Sequence, residues 1–478
     1  MKRLIVALLT LLGTSGVTVG VCHAEDVTIR YNGSKVKVQQ KVRDSLAVTV
    51  DGANVNIESL YENHKLTLLV KGRSEDGQLI LKTEGKAKVT LDGLDLTSRE
   101  GAPLVLKNKK KVEVAVKGKN ALTVTACTDT ANHKAAVIWA KDKLLLSGKG
   151  TLNIVATGDG CRGIKTKKDV TIEDVTLNVT TSGDNLGEKP FGFGGFPGMP
   201  EGGFPNFPDS IPMGGFGGFP GMPNFPDSIP MDGFGGGFGG GFGGKHKYVA
   251  STKGIASKGK ITINSGSVIV RTSTAGAEGI EGKEGIVFNG GKVDVLSPDD
   301  AINAGACIEF NGAHVIAHST GNDAVDSNPQ GGFFPPFGGQ SANDTDPAIV
   351  IRGGTVYAWS EVGSPEEGLD CDFAPLVVEG GSVFTVGGGM GEMPSVPTNE
   401  TAKQPTVLLI GFPVAKGEPV QIYDAGGKLL ATVTIPFSMR HSASLVSSPA
   451  FELGHTYTVK TKDYEKTFTL NENFTAVR

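Results

Sequence analysis

Between residues 140 and 386 the chain alternates apolar and polar positions in short, recurring bursts. Ile261–Val270, Ile286–Val295, Ile308–Ala317, Ile349–Ala358 and Leu376–Thr385 each carry apolar residues at every second place, on either side of a central Asn-Gly, Gly-Gly or Ser-Gly. Val170–Val179 has the same shape, and Leu144–Ile154 is a slightly longer version. A period of two is the signature of a strand with one face buried, and the central dipeptide is turn chemistry. Each burst therefore predicts two short strands joined by a tight turn.

A second element lies between the bursts: Arg162-Gly163-Ile164, Lys253-Gly254-Ile255, Glu278-Gly279-Ile280, Asp300-Ala301-Ile302, Asp323-Ala324-Val325 and Glu367-Gly368-Leu369. From Ile255 the spacing is 25, then 22, then 23 residues. The next step is 44, and removing a Gly/Pro/Phe stretch of 19 residues at 328–346 restores it to 25. Three short strands per repeat of this length predict a parallel β-helix, in which like residues of successive coils stack in register. A sandwich would show hairpin signals between all its strands, and a propeller would need a repeat of about 40 residues. The fold expected is all-β, with the parallel coil over 136–403. Residues 25–135 look all-β without the crisp repeat, as in Leu79–Lys82 and Val112–Val116, and predict irregular first coils and a cap. Residues 404–478 predict a small C-terminal β cap over the last coil, whose unpaired edge needs covering.

Three stretches break the repeat. In 186–247, Asn206–Met213 recurs word for word at Asn224–Met231, and Gly233–Gly244 is almost entirely Gly and Phe. Proline and glycine at that density do not sustain a strand ladder, so the segment reads as a loop thrown out from one corner. Residues 328–346 and 387–403 are shorter relatives. The long insertion is either a tolerated duplication or an arm whose phenylalanines meet sugars or a cell-surface partner.

Glycine, 69 of 478 residues, follows no every-third spacing, which excludes collagen. The net charge of −4 carries no overall basic footprint, so no nucleic-acid partner is expected. Residues 1–24 read as a secretory signal: Lys2 and Arg3, a largely apolar run from Leu4 to Val21, then Cys22-His23-Ala24. Gly13, Ser15, Gly16 and Gly20 dilute the run, which argues against a transmembrane anchor, and no other stretch is apolar enough to span. The valine before Cys22 departs from a lipoprotein pattern. The expectation is an exported protein: periplasmic, cell-surface or secreted. Cys127, Cys161, Cys307 and Cys371 then remain, with three full pairings open.

The chemistry concentrates at the corners. The residue before Gly-Ile or Ala-Ile is basic in two coils, Arg162 and Lys253, and acidic in the next four: Glu278, Asp300, Asp323 and Glu367. Three residues later runs a second column, Glu281, Asn303, Asp326 and Asp370. Stacked at about 4.8 Å, neighbouring carboxylates repel by about 1 kcal/mol in water and about 3 kcal/mol at a protein surface. Carboxylates with amide and backbone oxygens are the ligand set that Ca²⁺ prefers; solvated turn acids are the alternative reading. Catalytic signatures are otherwise absent: there is no His-Glu-x-x-His and no Gly-x-Ser-x-Gly. A uronate lyase would need a cation and a basic side chain to take the α-proton. Arg162, Lys165 and Lys253 are the corner bases on offer.

Leu91–Thr97 with Gly118–Thr123, Leu146–Asn153 running through Gly158-Asp159-Gly160 to Ile164, Asp299–Ile302, and Ser442–Pro449 with Gly454–Thr458 resemble a family of bacterial carbohydrate-binding β-helix proteins. That family is typified by a clostridial cellulose- and polyuronate-binding protein. The resemblance covers roughly 26–478 apart from the insertions. It implies a right-handed coil shaped like pectate lyases, corner carboxylates that bind Ca²⁺, and sugar binding without established catalysis. It marks Glu278, Asp300, Asn303, Asp323, Asp326, Glu367 and Asp370 as calcium candidates, and the second column adds Glu281. It also implies a polysaccharide partner, cellulose-like or acidic. Arg162 and Lys253 replace acids in the early coils, where calcium is not expected and a basic stripe would meet acidic sugars. The function expected is an exported, non-catalytic carbohydrate-binding protein. The alternatives are a calcium-dependent polyuronate lyase and a surface assembly protein.

Overall fold

The computed structural model describes residues 25–41, 46–127, 135–189, 247–329, 346–371, 374–389 and 394–478. Residues 1–24, where a secretory signal is expected, most of the Gly/Phe insertion and most of 328–346 lie outside the described residues. Every described element is a strand, and no described helix is long and apolar enough to cross a membrane.

The strands stack as three ladders of parallel strands, one from each side of a repeating coil. The first ladder, called here the site sheet, has eleven strands: ten parallel ones from Asn54–Ser59 to Leu369–Asp370, and Leu46–Asp51 antiparallel at its end. The second carries Leu144–Ser147, Val170–Glu173, Ile261–Ile263 and their successors to Leu376–Val378. The third carries Thr151–Ala156, Thr176–Thr181, Ser267–Thr272 and their successors to Ser382–Val386. The second and third ladders merge into one sheet of 23 strands through Leu66–Ser74 and Ala87–Ser98, which bend from one face into the next. The arrangement is β-helix-like.

The period-two pattern explains the packing. Ile164, Ile255, Ile280, Ile302, Val325 and Leu369 occupy one register position in the site sheet and all point inward. Ile172, Ile263, Phe288, Phe310, Ile351 and Val378 form the matching column of the second ladder. The rings of Phe288 and Phe310 stack with centroids 5.0 Å apart. Burying one such side chain contributes about 1.5–3 kcal/mol, so each coil is held mainly by its neighbours. The tight turns between the second and third ladders use glycine where φ is positive. Gly291 has φ 82°, and a Cβ there would lie 2.6 Å from the Gly266 carbonyl oxygen. Beside these turns the amides form a chain: Asn289 donates to Asn264 at 2.8 Å and Asn311 donates to Asn289 at 2.8 Å.

The ends differ from the middle. The parallel stacking starts earlier than the sequence pattern indicates. Asn54–Ser59 already pairs in parallel with Gln78–Thr83, and Leu66 onward with Ala87 onward. The periodicity is hidden there because the corners lack the Gly-Ile punctuation. The irregular part of the N-terminal region is two antiparallel hairpins, Val27–Asn32 with Lys35–Gln40 and Leu46–Asp51 with Asn54–Ser59. At the other end Val383 and Phe384 pair antiparallel with Ser447 and Val446, which stops the parallel ladder. Thr406–Val414, Met439–Ser447 and a separate four-stranded sheet then enclose a second core around Phe412, Phe437, Tyr457 and Phe468.

Where the long insertion leaves and returns, Leu186–Lys189 and Lys247–Ala250 form an antiparallel pair. Thr252 closes the junction, its N–H donating to Asn185 Oδ1 at 2.7 Å and its hydroxyl to the Gly183 carbonyl at 2.9 Å. Cys127 and Cys161 form a disulfide, Cys371 is buried, and Cys307 is a half-buried thiol.

Candidate functional site

The site sheet brings both predicted columns into register on its outer face. Glu281, Asn303, Asp326 and Asp370 are successive pairing partners across four strands. The same column continues upward through Ala256, Lys165, Trp139 and Val105. Lys253 pairs directly with Glu278 and with Arg162. Asp300, Asp323 and Glu367 follow along the backbone ladder, each offering its carbonyl to the preceding coil. Small residues force this corner inward. A Cβ at Gly254 would sit 2.3 Å from Val270 Cγ1 and 2.6 Å from the Gly279 carbonyl oxygen. The backbone thus packs against the third ladder and turns the preceding side chain toward the columns.

The acidic columns divide into two regions. In the upper one, buried Lys253 lies 2.9 Å from Glu278 Oε2 and 2.8 Å from Glu281 Oε1, and Lys283 also reaches Glu281. Burial works to raise the Glu281 carboxyl, but Lys253 and Lys283 outweigh it and hold the group down at about 2. Burial alone would lower the Lys253 amine; Glu278 and Glu281 keep it raised and charged. Glu281 is therefore held charged by two lysines, whereas at Glu278 burial outweighs Lys253 and keeps the carboxyl raised.

The lower region lacks that compensation. Asp300 is 1% exposed. Its Oδ2 accepts from Asn303 Nδ2 at 2.6 Å, and its Oδ1 has no hydrogen-bond partner. Asn303 also donates to Asp326 Oδ2 at 3.0 Å, and Asn328 donates to the same oxygen at 2.6 Å. Asp323 accepts from the Glu367 amide, and Glu367 Oε2 accepts from the Ser395 amide at 2.7 Å. Burial, then Asp326, Asp299, Asp323 and Glu278, push the Asp300 carboxyl well above its ordinary range. Burial and Asp370 raise Asp323 in the same way. Glu366, which the column pattern does not reveal, joins them: burial and Asp370 raise it too. The 387–403 segment is more than a thrown-out loop, since Ser395 anchors its described part to Glu367 and Ala402 bridges Val378.

The donors present are all oxygens. Among the described residues no three Asp, Glu, His or Cys side chains gather closely enough to hold a metal alone. A hard cation here would also draw on side-chain amide and backbone oxygens. Asn303 suits this, because both its hydrogen bonds use Nδ2 and leave Oδ1 available. The orphaned, buried Asp300 Oδ1 makes the donor set a chemical fit for Ca²⁺.

The early coils carry the opposite charge. Arg162 donates to Ser251 Oγ at 3.0 Å, while its Nε–H has no partner. Lys165 is 7% exposed, and burial, with Arg162 and Lys258 next, lowers its amine to about 7.

The fold and this two-signed face define an all-β protein of stacked parallel sheets that is similar to carbohydrate-binding proteins. The family described as carbohydrate-binding domain-containing protein matches residues 51–189 and 242–326. A carbohydrate-binding domain-containing protein of Acetivibrio thermocellus is 27% identical over 173 residues, 34% of this chain and 56% of that protein. The chain thus spans little more than half the length of this relative. The solved structure of a polysaccharide lyase-like protein from C. thermocellum, a gadolinium derivative, shares 18% identity at a TM-score of 0.39. It covers 61% of this chain and 90% of that one.

Proposed function

We propose that this protein is an exported, non-catalytic carbohydrate-binding protein whose right-handed coil is stabilised by calcium at its acidic corners. The observation that carries the binding role is the family match, whose two stretches supply eight strands of the site sheet, from Asn54–Ser59 to Ile302–Ala304, and end within the next, Val325–Ser327. Handedness rests on the general preference of parallel β connections for the right-handed crossover.

Asp300, Asp323 and Asp326, with Asn303 Oδ1, would hold the cation, and Glu367 and Asp370 would extend the set. Glu281 is left out because Lys253 and Lys283 already engage it, and Glu278 because its Oε2 faces Lys253 at 2.9 Å. The ion would supply positive charge to carboxylates that otherwise stay protonated or repel one another. The chain's own part is to fix those oxygens on stacked backbones and to orient Asn303 through its two donated hydrogen bonds.

A lyase reading draws on one observation, the Lys165 amine lowered to about 7, where it would act as a base. Lys165 lies three strands from Asn303 along the column, about 14 Å at the usual strand spacing. That is too far for the two to share one sugar carboxylate.

Affinity electrophoresis through gels containing polygalacturonate or soluble glucans, with calcium or a chelator, tests the proposal. Retardation on at least one glycan, weakened by chelator, is expected. Free migration on every gel would remove the binding role, and an unsaturated uronate product would restore the lyase.

A further inference from the structure

The site sheet holds a column that none of the preceding roles uses. Lys82 pairs with Lys107 across neighbouring strands. Lys141, Lys167, Lys258 and Lys283 follow, each donating its backbone N–H to the carbonyl of the residue just before its counterpart one coil up. Six lysines on six successive coils thus line one edge of the outer face over about 24 Å. Lys82 is paired with Glu58 and Lys283 with Glu281. Lys107, Lys141, Lys167 and Lys258 make no ion pair among the described residues, and all but half-buried Lys107 are exposed.

Beside this column lies a cluster of unsatisfied donors. Trp139 and Lys165 are register partners, and Arg162 stands three residues before Lys165 on the same strand. Trp139 is 4% exposed and its Nε1–H has no acceptor; neither has Arg162 Nε–H. Lys165, also buried, makes no hydrogen bond or ion pair among the described residues. Trp139 lines a groove of about 360 Å³ together with Lys82, Lys107, Lys141, Lys167 and the ion pair Lys109–Glu84, so its net charge is positive. Buried donors of this kind call for an acceptor; Glu281 and Glu278 act on Arg162 through space but are ion-paired with Lys253, and neither accepts its Nε–H.

We propose that Trp139, Arg162 and Lys165 form an oxyanion-binding site, and that the lysine column beside them carries the rest of an acidic polysaccharide along the coil axis. This rests on the carbohydrate-binding reading, names the charge class of the ligand, and needs no calcium. One charge per strand spacing of about 4.8 Å suits a polymer with one carboxylate or sulfate on successive sugar rings. Duplex DNA, with phosphates every 3.4 Å or so along each strand, is out of step with it. Trp139 alone is too sparse an aromatic platform for single-stranded nucleic acid, which stacks successive bases on several rings.

The test is binding of the full mature chain to polygalacturonate, a sulfated glycan, a neutral soluble glucan and single-stranded DNA, by titration at two salt concentrations in chelator. Lys141→Glu with Lys167→Glu reverses two exposed charges without touching the core. It should lower affinity for the acidic glycan at least tenfold and flatten the salt dependence, while Lys141→Arg with Lys167→Arg retains binding. Trp139→Phe, which removes only the N–H and part of the ring, should lower it severalfold. The better of the two acidic glycans identifies the oxyanion as carboxylate or sulfate. Unchanged affinity in the charge-reversal variant overturns the site. Binding only the neutral glucan overturns it too, but leaves the carbohydrate-binding role standing, whereas binding to no glycan removes both. DNA bound as tightly as the acidic glycan overturns the choice of ligand.

Discussion

Replacing Asp300 by asparagine should stabilise the protein without calcium and deprive it of stabilisation by calcium. The side chain is enclosed, one oxygen is satisfied by Asn303, the other by nothing, and the strongest charges acting on it are negative. Asparagine keeps the shape and an oxygen for Asn303. Each fully charged neighbour one strand away opposes an ionised Asp300 by about 3 kcal/mol at the effective dielectric of a protein. The wild-type carboxyl avoids part of this by retaining a proton, so the net gain on substitution is about 1–3 kcal/mol at pH 8. The sign with pH follows from linkage. A carboxyl raised on folding binds more protons in the folded state, so wild-type stability falls as pH rises from the ordinary carboxylate range through the raised one. The advantage of Asp300→Asn should shrink at pH 5. In wild type, calcium at a hundred times its dissociation constant adds about 2.7 kcal/mol, and in the variant most of that should vanish. Thermal unfolding in chelator and in excess calcium, at both pH values, reads all four quantities. A variant that is less stable than wild type in chelator, or that keeps the full calcium shift, would refute the reasoning.

Lys253→Met leaves Glu278 buried without its cation and should cost about 3–5 kcal/mol; adding Glu278→Gln should recover part of it, and a double-mutant cycle by denaturant titration measures the coupling. Gly254→Ala drives a methyl into Val270 and the Gly279 carbonyl, and should cost about 1–3 kcal/mol by the same titration. Reducing the Cys127–Cys161 disulfide should destabilise by about 3–4 kcal/mol on the chain-entropy account of its loop, read as a lowered unfolding temperature in reductant that the Cys307→Ser variant shares. Affinity for an acidic glycan should rise as pH falls through about 7, where Lys165 gains its proton beside Arg162, Lys258, Lys167 and Glu281; a flat pH profile, or a profile unchanged in Lys165→Met, would count against that role.

The acidic columns were legible because strand periodicity and a punctuated corner are both local signals. Once Glu281, Asn303, Asp326 and Asp370 are each assigned the same place in a coil, stacking follows without long-range information. The lysine column obeys the same rule but escaped it. The extra residues at 128–134 and the long insertion make the intervals from Lys107 to Lys141 and from Lys167 to Lys258 unequal, so the period disappears from the linear chain. Counting two residues on from Trp139, Lys165, Ala256 and Glu281 would have found it. That Lys253 serves Glu278 and Glu281 was hidden for another reason: the pairing is between coils, and a basic residue above an acidic one reads in sequence as a change of sign rather than as a bond. Glu366 lies beside the column position instead of on it, and only the turn of the chain brings it near Asp370. The disulfide needed three-dimensional proximity outright.

The antiparallel pair that brackets the insertion has a consequence for how such a protein changes over time. Leu186–Lys189 and Lys247–Ala250 lie side by side, and Asn185 and Thr252 fasten the two ends before the coil resumes with Lys253 beneath Arg162. The register below is therefore indifferent to what is spliced between them. The junction works as a socket: lengthening, shortening or exchanging the segment carried there leaves the stack untouched, so the duplicated Asn-Phe-Pro-Asp-Ser-Ile-Pro-Met units could accumulate at no structural cost. The same socket would accept a foreign domain or a display tag next to the basic end of the face.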